Sequence, residues 1–214
     1  MIKAVLFDLD GTLADTAPDL NYALNCVRSA RGLPALPLAA TRPYASQGAR
    51  GLIGAGFNVH PGDSGYDALR DEFLARYASN LCRETRLFPG IPELLDQLEA
   101  RALPWGVVTN KAERFTMPLL ELLEVRRRAA CVIGGDTTGR IKPHPEPLLA
   151  ASRAIALDPQ ACIYLGDDQR DVDAGRAAGM KTAIAGWGYL NGQDPERWKA
   201  DCMIERPGDL LQFL

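Results

Sequence analysis

Two apolar runs in this 214-residue chain stop on aspartates. FDLDGTL carries Asp8 and Asp10, and YLGDDQRD carries Asp167 and Asp171. Residues 2–7 and 162–165 read as buried strands, so the carboxylates stand at or just past strand ends. The strand-like run 105–109 ends on Thr109 and leads into Asn110-Lys111, and Lys142-Pro143 follows the run 131–134. Ligands of an open parallel sheet bind outside the carboxyl ends of its strands, so these residues are expected to converge. Crowded carboxylates repel unless a cation or a proton relieves them. A hard divalent ion does so: Mg²⁺ takes oxygen ligands, with Asp8, Asp10, Asp167 and Asp171 as the candidate set. Opposite them Thr109, Lys142 and free backbone N–H groups can hold phosphate oxygens. Together these residue types are the equipment of phosphoryl transfer.

The elements that must position them are strands alternating with helices. Strand-like runs at 105–109, 131–134, 162–165 and 182–185 are separated by helical patterns at 92–101, 113–124 and 145–156, which predicts a parallel sheet covered on both faces. The interval between the first strand and the next, near Pro104, far exceeds a crossover of roughly 30 residues. Its content is helical. Leu20, Ala23, Leu24 and Val27 form one stripe, and Tyr66, Leu69, Phe73, Tyr77 and Leu81 another, with Ser64 as N-cap of the second. The expected organisation is an α/β core of residues 1–14 and 86–214, with a helical cap of residues 15–85 inserted after the first strand. Linkers fall near Asp15, which is also a candidate cap for the first helix, and near Phe88-Pro89-Gly90. Asp168 reads as a turn former or helix N-cap.

Composition narrows the classes. A formal charge of −3 argues against coating nucleic acid or an anionic membrane, and Arg126-Arg127-Arg128 reads as a solvated helix end. Five scattered cysteines without a C-x-x-C pair fit reduced thiols in a cytoplasmic protein. The N-terminus has no signal-peptide pattern, and no apolar run approaches the roughly 18 residues of a membrane span. His60 and His144 lack partners at metal-ligand spacing and read as bystanders. Trp187 and Tyr189 follow the run 182–185 and either border the cleft or pack under the sheet edge.

In order, D-x-D-G-T at Asp8 to Thr12, the strand-ending Thr109, Lys142-Pro143 and Gly166-Asp167-x-x-x-Asp171 resemble the four motifs of the haloacid dehalogenase superfamily. The resemblance spans almost the whole chain. It implies a Rossmann-like parallel sheet with a cap after the first motif. The text is most similar to phosphoglycolate phosphatases, and Leu87 to Gly90, Trp105 to Lys111 and Lys142 to Pro147 are also similar to N-acetylmuramic acid 6-phosphate phosphatases. Implied roles are Asp8 as nucleophile, forming an aspartyl-phosphate, and Asp10 as acid and base. Asp8, the main-chain carbonyl of Asp10 and Asp167 would hold Mg²⁺, with Asp171 binding or orienting a metal-bound water, and Thr109, Asn110 and Lys142 would bind phosphate. Retention of Asp10 beside Asp167 and Asp171 disfavours a metal-free dehalogenase. A phosphomutase and a non-catalytic phosphate binder remain as alternative readings.

The leaving group must be read by the cap and the cleft walls. Gln47, Gly48 and Arg50, in SQGARG, and Lys111 are the candidate substrate-binding residues, since small residues allow backbone approach and the cations suit a substrate carboxylate. Arg114 reads as solvated charge. The expected partner is a small phosphate ester, 2-phosphoglycolate or N-acetylmuramic acid 6-phosphate, with no nucleic acid and no membrane, handled by a monomer or homodimer.

Overall fold

The computed structural model describes the backbone of residues 1–214 and every side chain except that of Asn191. In chain order it runs β1 (Ala4–Phe7), β2 (Ala14–Asp15), α1 (Ala17–Ser29), α2 (Leu38–Thr41), a 3-10 turn (Arg42–Gln47), α3 (Gly48–Phe57), α4 (Tyr66–Ala78) and β3 (Arg86–Leu87). It continues with α5 (Ile91–Ala100), β4 (Trp105–Val108), α6 (Glu113–Leu122), β5 (Cys131–Ile133), α7 (Glu146–Ala154), β6 (Cys162–Gly166), α8 (Gln169–Ala177), β7 (Lys181–Ala185) and β8 (Cys202–Ile204).

All four residues of β1 are apolar and fully buried, and the strand takes a central place in a parallel sheet ordered β5-β4-β1-β6-β7-β8. Strand periodicity divides its side chains between two helical layers. Val5, Phe7, Val107, Ile163 and Leu165 join one apolar cluster with Leu94 and Leu98 of α5 and Leu119 of α6. Ala4, Leu6, Val108 and Tyr164 join another with Leu148 of α7 and Ala174 of α8. The fold is therefore the α/β class that the alternating pattern predicts. β8, α8 and the short β2–β3 pair were not among the expected elements. β8 is only three residues long, and α8, QRDVDAGRA, carries one large apolar side chain, Val172, too little for a periodic stripe.

The chain leaves β1, winds outward through β4 and β5, then returns to β6 on the other flank of β1. This reversal leaves a crevice at the carboxyl end of β1, the place where open α/β sheets bind ligands. Over it lie α1 to α4, whose predicted stripes are buried: Leu20, Ala23, Leu24 and Val27 from α1, and Tyr66, Leu69, Phe73 and Tyr77 from α4. The two chain passages to this helical segment run side by side, Ala14 opposite Leu87 and Asp15 opposite Arg86.

Two cap assignments are corrected. Asp15 does not cap α1, because its carboxylate is held bidentately by Arg42 at 3.0 and 2.8 Å. Ser64 does not cap α4, whose N-cap is Gly65 at φ 85°. The N-terminus of α1 is satisfied from the other half of the molecule instead: the Tyr189 hydroxyl accepts from the Thr16 N–H at 2.8 Å and the Ala17 N–H at 3.0 Å, and lies 3.0 Å from Asp15 Oδ1. The Arg42 guanidinium stacks 5.5 Å from the Tyr189 ring. Nearby, Trp187 Nε1 donates to the Thr12 carbonyl at 3.0 Å. Both aromatics thus tie the loop after β7 to the first passage. No helix among the described residues is long and apolar enough to cross a membrane.

Tyr189→Phe keeps the ring and strips buried N–H groups of their acceptor. It is expected to destabilise the protein by about 1–3 kcal/mol, read as a lower midpoint in urea unfolding. An unchanged midpoint would mean that water replaces the hydroxyl and that the latch carries no stability.

Candidate active site

The carboxylates meet at the carboxyl ends of β1 and β6. Asp8, Asp167 and Asp171 each offer an oxygen within 4.8 Å of the others, and all three are buried. Gly11 makes the turn after β1 possible. It sits at φ 87°, and a Cβ there would lie 2.1 Å from Asp167 Oδ2.

One cation serves this group from within. Lys142 Nζ lies 2.9 Å from Asp8 Oδ1, 2.7 Å from Asp171 Oδ1 and 2.7 Å from the Tyr164 hydroxyl. The ammonium also donates to the Val108 carbonyl at 3.2 Å. Asn110 fixes the lysine's backbone: its amide accepts from Lys142 N at 2.9 Å and donates to Lys142 O at 3.0 Å. The Asn110 side chain is thereby occupied in positioning Lys142.

Asp167 receives only neutral donors among the described residues, from Thr12 Oγ1 at 3.1 Å, Ser46 Oγ at 2.9 Å and Tyr189 N at 3.0 Å. Burial, then repulsion from Asp8 and Asp171, drives its carboxyl far above the usual range. Burial likewise raises Asp8 to about 6, against the pull of Lys142 and with the push of Asp171. Burial opposes the charge on Lys142, but Asp171 and Asp8 outweigh it and raise its pKa. Three buried carboxylates around one ammonium are short of positive charge, and their donors are all oxygen. That set fits a hard divalent ion such as Mg²⁺, which would replace the protons otherwise held there.

Asp10 points elsewhere. Its Oδ1 accepts from Thr16 Oγ1 at 2.5 Å and faces Lys111 Nζ at 2.7 Å, so its carboxylate stands outside the three-carboxylate group. Burial opposes the charge on Lys111, yet Asp10 and Tyr77 outweigh it and raise its pKa. Lys111 is therefore held on Asp10 in this arrangement. Asp168, as its sequence position suggests, caps α8, accepting from Arg170 N at 2.9 Å in a capping box with Asp171. Thr109 is buried, and its Oγ1 accepts from Lys111 N at 3.2 Å.

A cavity of about 360 Å³ opens over Asp8, Asp10, Thr109 and Lys142 and is closed on the far side by Gln47, Gly48 and Arg50. Gly48 begins α3 at φ 58°, and Arg50 is exposed. Contacts across the cleft that the sequence did not disclose come from Ser46, through Asp167, and from Arg170, whose guanidinium donates to the Ser46 carbonyl at 2.9 Å. Tyr164 was missed too, since a strand tyrosine looks like core until Lys142 is found beside it. The side chains of His60 and His144 stand apart from the carboxylate group: His60 N donates to Asp63, and His144 Nδ1 accepts from Glu146 N.

The model of the haloacid dehalogenase-like hydrolases matches residues 5–185. A phosphoglycolate phosphatase of Xanthomonas campestris pv. campestris is 45% identical over 211 residues, covering 98% of this chain and 95% of that protein. An N-acetylmuramic acid 6-phosphate phosphatase of Pseudomonas aeruginosa is 42% identical over 214 residues, covering 100% and 95%. Among solved structures, a predicted phosphoglycolate phosphatase from Haemophilus somnus superposes with TM-score 0.88 at 27% identity, covering 99% of this chain and 97% of that one.

The raised carboxyl of Asp8 has a consequence for stability. Between its ordinary value of 3.8 and about 6 the folded state holds a proton that the unfolded chain has released. Its contribution is therefore present at low pH and is lost as pH rises through 6. In the presence of a chelator, Asp8→Asn should be more stable than wild type by on the order of 2–3 kcal/mol at pH 7, with the gap closing toward pH 4. Urea unfolding across that range reads it. A gap that does not change with pH would mean that Asp8 is not strained by its neighbours.

Proposed function

The chain belongs to the haloacid dehalogenase-like hydrolases, and on that premise we propose that it is a Mg²⁺-dependent phosphatase that hydrolyses a phosphate monoester through an aspartyl-phosphate. The observation that carries this reading is the division of labour among carboxylates: Asp8 and Asp171 share one ammonium, Asp167 beside them has only neutral donors among the described residues, and Asp10 is held apart on Thr16 and Lys111.

Asp8 is the nucleophile. Its Oδ1 is fixed by the Leu9 N–H at 2.8 Å and by Lys142, and Oδ2 has no hydrogen-bond partner among the described residues. A carboxylate oxygen of Asp8 attacks phosphorus as the bond to the ester oxygen breaks, and Asp10 delivers a proton to that leaving oxygen. Asp10 then takes a proton from water, which attacks phosphorus and returns Asp8 to its free state. Asp8, Asp167 and Asp171, with the Asp10 carbonyl, would hold Mg²⁺, which when bound offsets the negative charge that keeps anionic Asp8 from an anionic phosphate. Thr109 and Lys142 anchor phosphate oxygens. Residues 15–85 serve as the cap over a core of 1–14 and 86–214, and the substrate is 2-phosphoglycolate, N-acetylmuramic acid 6-phosphate or a related ester, as the two named relatives suggest.

Released phosphate measured on a generic aryl phosphate tests this. Activity is expected with Mg²⁺, to vanish in excess chelator, and to be inhibited by Ca²⁺, whose larger shell can take both oxygens of Asp8. Asp8→Asn should fall below about a hundredth of wild type, a loss of roughly 2.7 kcal/mol or more in transition-state stabilisation. Full activity in chelator, or in Asp8→Asn, would overturn the reading.

A further inference from the structure

The cavity is larger and more apolar than a two-carbon acid requires. At about 360 Å³ it lies in the range of pockets that enclose drug-sized ligands, roughly 300–1,000 Å³. The phosphate end is polar, but the walls beyond it are carbon. Leu74 of α4 lines the cavity from above, half-buried, and Ile141, next to Lys142, lines it from below at 51% exposure. Phe115 adds a ring from α6. A single methylene, worth about 0.8 kcal/mol when buried, cannot cover such a surface.

One polar group stands in this wall without a partner. Tyr77, 1% exposed, lines the cavity, and its hydroxyl finds no hydrogen-bond partner among the described residues. The Lys111 ammonium lies 4.8 Å from its ring centroid, near enough for the two groups to perturb each other electrostatically, but its close hydrogen bond goes to Asp10 and no hydrogen bond of good geometry reaches the Tyr77 hydroxyl. A buried hydroxyl left without a partner is costly, so a group that occupies the cavity is the natural acceptor or donor for it. At the rim two exposed guanidiniums face the cavity, Arg50 from α3 and Arg114 from α6, and neither has a carboxylate partner among the described residues. Arg114 lies over the Phe115 ring at 4.7 Å.

On the phosphatase reading, which this deepens, we propose that the leaving group is sugar-sized and anionic, bearing an apolar substituent against Leu74 and Ile141 and a polar oxygen or amide that meets the Tyr77 hydroxyl. A two-carbon hydroxy acid meets the phosphate anchor and a guanidinium but leaves the apolar walls and Tyr77 unserved. Tyr77 is then a specificity-determining residue.

The test compares kcat/KM of the full chain, with Mg²⁺, on N-acetylmuramic acid 6-phosphate and on 2-phosphoglycolate, with the aryl phosphate as a measure of phosphatase competence. Wild type is expected to prefer the sugar ester by at least tenfold. In Tyr77→Phe the ratio of sugar ester to 2-phosphoglycolate should fall roughly two- to tenfold, chiefly through KM, with a melting temperature equal to or above wild type, since an unpartnered hydroxyl is removed. Leu74→Ala should lower the same ratio by about three- to tenfold. If aryl phosphate is hydrolysed but 2-phosphoglycolate is the better substrate, this proposal fails while the phosphatase reading stands. An unchanged ratio in Tyr77→Phe and Leu74→Ala likewise overturns it. If no ester is hydrolysed, both readings fall together.

Discussion

Lys142 lies between Asp8 and Asp171, and this contact organises the whole site. A buried ammonium and a buried carboxylate are each expensive to take out of water, and they persist when each has a partner at close range. Lys142 satisfies two carboxylates at once, with Tyr164 and the Val108 carbonyl completing its shell. Asp167 is left with neutral donors alone among the described residues, so nothing there offsets a charge on its carboxylate. That shortage of positive charge is what suits the cluster to a cation.

Much of the fold follows from the need to bring these groups together. β1 must be central for Asp8 to stand at a switch point, and it is central because all four of its residues are apolar and it can be covered on both faces. Asn110, at the end of β4, holds the backbone of Lys142 by a two-way amide contact, so two motifs 32 residues apart form one unit. The helical segment rests on the same carboxylates: Ser46 reaches Asp167, and Arg170 holds the Ser46 carbonyl while bonded to Asp168. The helical segment and the charged cluster are thus linked through shared residues, a relation that two separately stable halves would not require.

The strands and the first-motif aspartates were legible because they depend on local pattern. An apolar run ending on Asp-x-Asp-Gly-Thr states both an element and its terminus, and the long interval before residue 104 reveals an insertion by its length and helices by its apolar stripes. Features made by distant parts of the chain were not legible. Asp15 looks like a cap residue until Arg42 is seen beside it, and Tyr189 looks like packing until its hydroxyl is found on the first turn of α1. Tyr77 belongs to an apolar stripe at helical spacing, and the stripe is correct; that its hydroxyl lacks a partner is a property of the assembled cavity. Lys111 was legible as a cation near the cleft, but its pairing with Asp10 depends on a register between β1 and β4 that sequence alone does not state.

The central claim is that the buried carboxylates form a cation site for want of counter-charge, and Mg²⁺ binding to the metal-stripped protein tests it most directly. Calorimetric titration near pH 6 should detect one Mg²⁺ per wild-type chain, with protons released on binding because the raised carboxyls of Asp8 and Asp167 must give theirs up. In Asp167→Asn both the binding and the proton release should be lost or weakened severalfold. Wild-type protein that binds no Mg²⁺, or an Asp167→Asn protein that binds it as tightly as wild type, would contradict the account.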